Sequence, residues 1–518
     1  MKYKGLALAL MCIIALSAVS SGTETDYYSQ YSRKIQTLAL DEKIKFLSAE
    51  LSEWKESENV KKKFYLHVLR GDARLAARAY TEAHDDYTEA LAIEPSYHFA
   101  WNNRGITNKN AGKYQDALRD YNKALQIRPD FSIVHYNRGL VYHALRLYDK
   151  ALEDFAAAII AMPAFAPAYN NRGVVYHTKG EWSKALADYD KAIELDPKLS
   201  SAYINRGIIH KLQQKHETSV AEFTKAVQVN PKDDMAYLVR AVAFREKKEY
   251  PQAIADANKA IEINPTNTNA YIVRAKTHAE MGEKEKAIND YTQALKINPA
   301  SEEAYIQRGY VYSETKQYDK ALADFNKAIE INPSCSLAYY GKAEIEKITG
   351  KYEKALREYG NLISCNPEDF EPYYRRGNLH AAMGHTEKAI RDYSAAISKK
   401  TDFADAYCNR GILHAKKRNY AKALNDYTSA IRINPRHVSS INNRGVAYIE
   451  LGNLSAAIRD FSLAIELAPD FHLAYFNRGN ALKKTGSLKK AIADFRIIML
   501  FICIFYHFQL GISMGKYS

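Results

Sequence analysis

AYINRGIIHK, residues 202–211, returns as AYFNRGNALKK at residues 474–484, and the interval between the two Asn-Arg-Gly triplets is a whole multiple of 34. Proline keeps the same phase. It stands at Pro95, Pro129, Pro163, Pro197, Pro231, Pro265, Pro299, Pro333 and Pro367, gives way to Thr401, and resumes at Pro435 and Pro469. A fixed period of this length marks a stack of identical supersecondary repeats. None of them buries its apolar face alone, so each neighbour completes the next one's core.

Each repeat is numbered 1 to 34 with proline at position 32, so that one repeat runs from His98 to Phe131. Position 8 is then small (Gly105, Gly139, Gly173, Ala241, Ala343), position 20 is Ala (Ala117, Ala151, Ala185) with Ser219 once, and position 24 is aromatic nearly throughout (Tyr121, Phe155, Tyr189, Phe223). Small residues facing aromatics at helical spacing describe two interlocked amphipathic helices, A and B, with a turn near position 15 that is often glycine, as at Gly112 and Gly180.

This pattern resembles the tetratricopeptide repeat family over residues 64–496. The resemblance implies an all-α, right-handed superhelical solenoid of about thirteen helix-turn-helix repeats, the last one incomplete. One departure is systematic: the family usually places Leu at position 7, and this chain places Arg or Lys there.

The rest of the chain divides around that array. Lys2, Lys4, an apolar run from Gly5 to Val19 and the small residues Ser20, Ser21 and Gly22 have the form of a secretory signal peptide, so residues 1–21 are expected to direct export. The expected destination is the periplasm, the cell envelope or a secretory lumen. Residues 22–63 carry helical patterning without the full signature and read as a cap or degenerate repeat. At the other end the pattern holds to Phe495 and then collapses into IIMLFICIFYHFQLGI. Residues 497–518 therefore read as an aberrant apolar tail, either membrane-touching or the product of a wrong reading frame, and too short for a stable span.

The formal net charge of +13 permits a polyanion partner, but the basic residues are spread over helices and the aromatics sit at core positions, so nucleic acid is not expected. Cys335 and Cys365 flank the two ends of one repeat. A disulfide between them competes with two free thiols, because packed helix axes about 8–10 Å apart are wide for a bridge. No spacing suggests a metal site or cofactor, and no nucleophile, base or phosphate loop offers a catalytic residue.

Two ladders run through the array. Position 7 is basic and position 23 acidic in every repeat, as in Arg104 with Asp120, Arg138 with Asp154, Arg172 with Asp188 and Arg206 with Glu222. Charges on the core side of a helix need partners, since desolvating one alone costs several kcal/mol, so these read as structural pins. The second ladder is asparagine at position 6: Asn103, Asn137, Asn171 and Asn205, then Asn409, Asn443 and Asn477. A primary amide can pair with both the N–H and the C=O of an extended peptide. Helices about 10 Å apart would offer one amide for roughly every three extended residues.

This ladder looks like the one in the repeat region of the O-linked N-acetylglucosamine transferases, where helix A lines a concave wall. The alternative is that the amides only join neighbouring helices. The expectation is a non-catalytic scaffold that grips extended segments of other proteins in the groove, in the assembly or trafficking of exported proteins. The rivals are the recognition arm of a glycosyltransferase-like enzyme and a charge-driven polyanion binder. Oligomeric state is left open.

Overall fold

The computed structural model describes residues 27–509, and all regular structure among them is helical, in 28 helices. The chain divides into two compact units, Met1–Val273 and Arg274–Ser518, each a run of tandem helix pairs. The expected signal peptide lies outside the described residues.

The first unit begins with two helices, Tyr27–Ile35 and Leu40–Ser52, which bury Tyr31, Ile35 and Leu47 against Leu66 and Leu69 of the next helix. That next helix, Val60–Ala76, starts four residues before the expected edge of the first repeat, because Asn59 caps it and accepts from the Lys61 N–H. From there the pairs alternate regularly, a 13-residue A helix (His98–Asn110) followed by a 14-residue B helix (Tyr114–Ile127). Within each unit a B helix packs on its own A helix and on the next one, and several successive A helices also touch. The second unit repeats the scheme, for example in Glu302–Glu314 and Tyr318–Ile331.

The core of nearly every pair is the small-against-aromatic contact foreseen from the periodicity; Ala257 stands in place of the ring in one. Ala117, Tyr121 and Ala124 are fully buried, as are Ala321, Phe325 and Ala328 in the second unit. A Cβ on Gly105 would stand 2.6 Å from Tyr121 Cε1, so glycine at position 8 lets the ring lie against the A-helix backbone. Each such ring contributes about 1.5–3 kcal/mol by burial.

The A-to-B turn holds a left-handed residue at position 15. Gly112 (φ 79°) and Gly180 (φ 78°) meet the expectation, but Arg78, Arg146, Gln214, Lys248, Lys316 and Arg418 adopt the same conformation with side chains. The last helix, Leu488–Gln509, runs 22 residues, where the other B helices run 14. Its helical geometry thus continues past Phe495, where the repeat pattern stops, and past position 30, where the other B helices end. Among the described residues no helix is long and apolar enough to cross a membrane.

Candidate functional site

The position 7 arginines are consumed by the fold. Arg138 places Nε 2.8 Å from one oxygen of Asp154 and Nη2 2.7 Å from the other. Arg172 grips Asp188 with the same two distances, and Arg104 reaches Asp120 at 3.1 and 2.7 Å. The acids are buried. Lys342, the one lysine in the series, lies 3.0 Å from Glu358. Glu222 breaks the fork: its longer side chain sets both oxygens on Arg206 Nη2, at 2.9 and 2.8 Å, and leaves the buried Nε without a partner.

The third guanidinium nitrogen turns the other way, onto position 25 of the preceding B helix. Arg138 Nη1 donates to Asn122 at 2.6 Å, Arg308 to Thr292 at 2.8 Å and Arg410 to Ser394 at 2.9 Å. Position 4 aromatics complete the pin, with Trp101 under Arg104 at 4.6 Å and Tyr407 under Arg410 at 5.6 Å. One arginine therefore joins three elements, and little of it is left for a ligand.

The asparagines at position 6 do something different. Most give their Nδ2 to position 5 of the preceding repeat: Asn137 to Asn102 Oδ1 at 3.1 Å, Asn171 to the Tyr136 hydroxyl at 3.0 Å, Asn205 to Asn170 Oδ1 at 3.0 Å. Asn409 donates to the Tyr374 hydroxyl at 3.2 Å and Asn477 to Asn442 Oδ1 at 3.0 Å. Asn103 turns to Asp72 at 3.0 Å, and Asn443 accepts from Asn442 at 3.3 Å. The amides thus join adjacent A helices, and their Nδ2 is partly spent. The Oδ1 atoms of Asn137, Asn171 and Asn205 receive no donor among the described residues.

A parallel row lies at position 12, twelve residues into the same A helices. Lys109, His143 and His177 have no hydrogen-bond or ion-pair partner among the described residues. Burial pushes the Lys109 ammonium down to about 8 and lowers both imidazoles, so desolvation favours their neutral forms. Position 12 carries no motif in the sequence, and only its alignment on one face reveals it.

Between Asn205 and Asn409, position 6 holds Val239, Val273, Gln307, Gly341 and Arg375. At Gly341, position 6, a Cβ would stand 2.3 Å from Phe325 Cζ, because Tyr310 at position 9 stacks edge-on to that ring at 5.2 Å. No amide fits there. At the next repeat Arg375 fills the slot and pairs with Glu371 at 2.8 Å and Glu344 at 3.5 Å.

The disulfide between Cys335 and Cys365 is not formed; both thiols are free. Cys335 caps the helix Ser336–Ile348 and is buried against Phe325 and Ala328 of the preceding repeat, where desolvation raises its thiol to about 11. Cys365 ends its B helix exposed, with Sγ 3.6 Å from the Pro333 carbonyl. The two sulfurs belong to different surroundings, one inside the stack and one outside it. Among the described residues no group of His, Cys, Asp or Glu could hold a metal ion.

Tetratricopeptide-repeat family models match residues 109–145, 166–199, 206–268, 275–316, 302–335, 343–384, 377–418, 411–476 and 472–496. No curated protein matches the chain. Similar solved structures include yeast Tom70, with 17% identity over 83% of this chain and 96% of that one and a TM-score of 0.37. A tetratricopeptide repeat protein from Parabacteroides merdae has 24% identity over 48% and 98%, with a TM-score of 0.35. YrrB, described as a TPR protein with an unusual peptide-binding site, has 23% identity over 36% and 95%, with a TM-score of 0.32. Together the family models cover most of the array of helix pairs, and the chain belongs to the tetratricopeptide repeat family, whose repeats serve as protein-interaction scaffolds.

Proposed function

We propose that the shared A-helix face from Asn103 to Asn205 binds extended segments of partner proteins, with Asn409 to Asn477 as a second stretch, and that the chain does so without catalysis. The observation that carries this reading is the state of the amides. Asn137, Asn171 and Asn205 are each anchored through one Nδ2 hydrogen to the preceding repeat, which fixes their orientation, while Oδ1 stays free to accept from a peptide N–H; Asn103 Oδ1 already accepts from Asn102 Nδ2 at 3.0 Å. Pre-fixing the side chain lowers the entropy lost on binding.

An apolar row at position 9 (Ile106, Leu140, Val174, Ile208) flanks the amides and would accept side chains of a bound segment. The apolar stretch Gly5–Val19 supports placing this activity in an exported protein, in the assembly or trafficking of envelope or secreted proteins.

The test is recovery of partners from the native compartment by wild type, by the triple variant Asn137→Ala, Asn171→Ala, Asn205→Ala, and by Lys109→Gln. Each lost hydrogen bond is worth about 0.5–1.5 kcal/mol, so the triple variant should bind at least about tenfold more weakly. Lys109 has no hydrogen-bond or ion-pair partner among the described residues and burial disfavours its charge, so its variant should lose affinity with a melting temperature that does not fall. Undiminished partner recovery by a folded triple variant would refute the reading.

A further inference from the structure

At Arg376 the third bond of the pin is missing, and a cavity stands beside it. Arg376 spends Nε and Nη2 on Asp392, at 2.9 and 2.8 Å, as its counterparts do on their acids. Its Nη1 has no acceptor among the described residues, because position 25 of the preceding B helix is Gly360. Arg172, preceded by Ala156, also lacks the acceptor, but there a methyl group occupies part of the space; glycine leaves all of it empty. A Cβ on Gly360 would meet only Arg376 Nη1, at 3.8 Å.

The resulting cavity, about 700 Å³, is lined by Arg376, Lys354, Arg357, Ser364, Glu358 and Glu346. The Lys354 and Arg357 side chains make no hydrogen bond or ion pair among the described residues. Glu358 is already held by Lys342. Glu346 is 6% exposed, and its Oε2 is buried without a donor. The cavity therefore offers cationic donors that lack an acceptor and one acceptor that lacks a donor. An oxyanion alone would satisfy the first set and repel the second. A phosphate that keeps one proton satisfies both: its charged oxygens accept from Arg376 Nη1, Arg357 and Lys354, and its P–OH donates to Glu346.

We propose that this cavity binds a phosphate group carrying one proton, in the space that an acceptor side chain fills elsewhere in the array. The site is separate from the A-helix face and does not depend on the reading proposed for it. Gly360→Ser supplies a hydroxyl to Arg376 Nη1, as Ser394 and Ser462 do for Arg410 and Arg478, and thereby competes with the phosphate for that donor without a clash.

Thermal melts of the full chain at constant ionic strength provide the test. Inorganic phosphate at ~10 mM should raise the wild-type melting temperature by about 1–2 °C and that of Gly360→Ser by less than about 0.5 °C. Sulfate, which has no O–H at neutral pH, should have less than half the effect of phosphate. Equal responses of the two proteins to phosphate, or an equal effect of sulfate, would overturn the proposal. Calorimetry on Arg357→Gln, an exposed position that should leave the fold intact, should show phosphate affinity reduced at least about fivefold; unchanged affinity would also overturn it. O-phosphoserine binding tighter than inorganic phosphate would support a phosphorylated side chain as the source, and the reverse order the free ion.

Discussion

Asp72 sits where the first repeat's A helix faces its neighbour, and its Oδ1 accepts from the Tyr87 hydroxyl at 2.6 Å and from Asn103 Nδ2 at 3.0 Å. Both bonds favour the carboxylate, but burial outweighs them and raises Asp72 to about 6. A carboxyl that holds its proton more tightly folded than unfolded contributes stability that is complete below about pH 4 and is lost as the pH rises through 6. Asn378 occupies the same position and accepts from Tyr393 at 2.8 Å and Asn409 at 3.1 Å. Asp72→Asn should therefore keep both bonds and stabilise the protein by up to about 2–3 kcal/mol at pH 7.5, the gain shrinking toward zero near pH 4. Urea melts at the two pH values measure this, and a gain that did not vary with pH would contradict it. The Arg–Asp pairs were legible because their spacing of 16 never changes. The asparagine partners were not, since position 5 alternates between Asn102, Tyr136 and Asn170 and only the A-to-A packing brings it within reach.

At the scale of the element, the turn at position 15 is set by geometry rather than by sequence preference. The A helix ends and the B helix begins within three residues, which requires one left-handed residue whatever its type. At Lys248 that conformation is held by a side chain at φ 62°. A non-glycine residue there costs about 1–2 kcal/mol, partly offset by glycine's greater freedom in the unfolded chain. Lys248→Gly is expected to raise stability by about 0.5–1 kcal/mol, read as a higher urea midpoint with an unchanged m-value. A lower midpoint would show that the Lys248 side chain contributes something its surroundings do not reveal. The B-helix stop follows a similar logic. Helix Thr386–Lys399 ends on schedule although Thr401 replaces proline, so the demand of the following A helix, more than proline itself, fixes where B stops.

At the scale of the molecule, contacts within each unit run from one repeat to its neighbours, so the stability of a unit should behave as a chain of nearest-neighbour terms. Removing the repeat Ala166–Leu199 would bring Asn205 beside Tyr136, the pairing Asn171 already makes at 3.0 Å. Arg206 would exchange Asp190, which it contacts at 2.6 Å, for Ala156 and lose one bond, at a cost of about 1.5–3 kcal/mol for a charged pair. The shortened protein is expected to fold with unchanged helicity per residue, measured by circular dichroism, and with a slightly lower melting temperature. Loss of cooperative unfolding would show that longer-range terms matter.

The period of 34, the small-against-aromatic pattern and the constant Arg–Asp spacing determined by themselves that the chain forms paired helices in register, because each depends only on residues within one repeat or its neighbour. Tertiary structure alone decided which polar groups remain unspent. Whether Asn137 Oδ1, Lys109 or Arg376 Nη1 finds a partner depends on what the adjoining helix places opposite it, and a hydrogen bond is made or missed within a few tenths of an ångström that no residue pattern encodes.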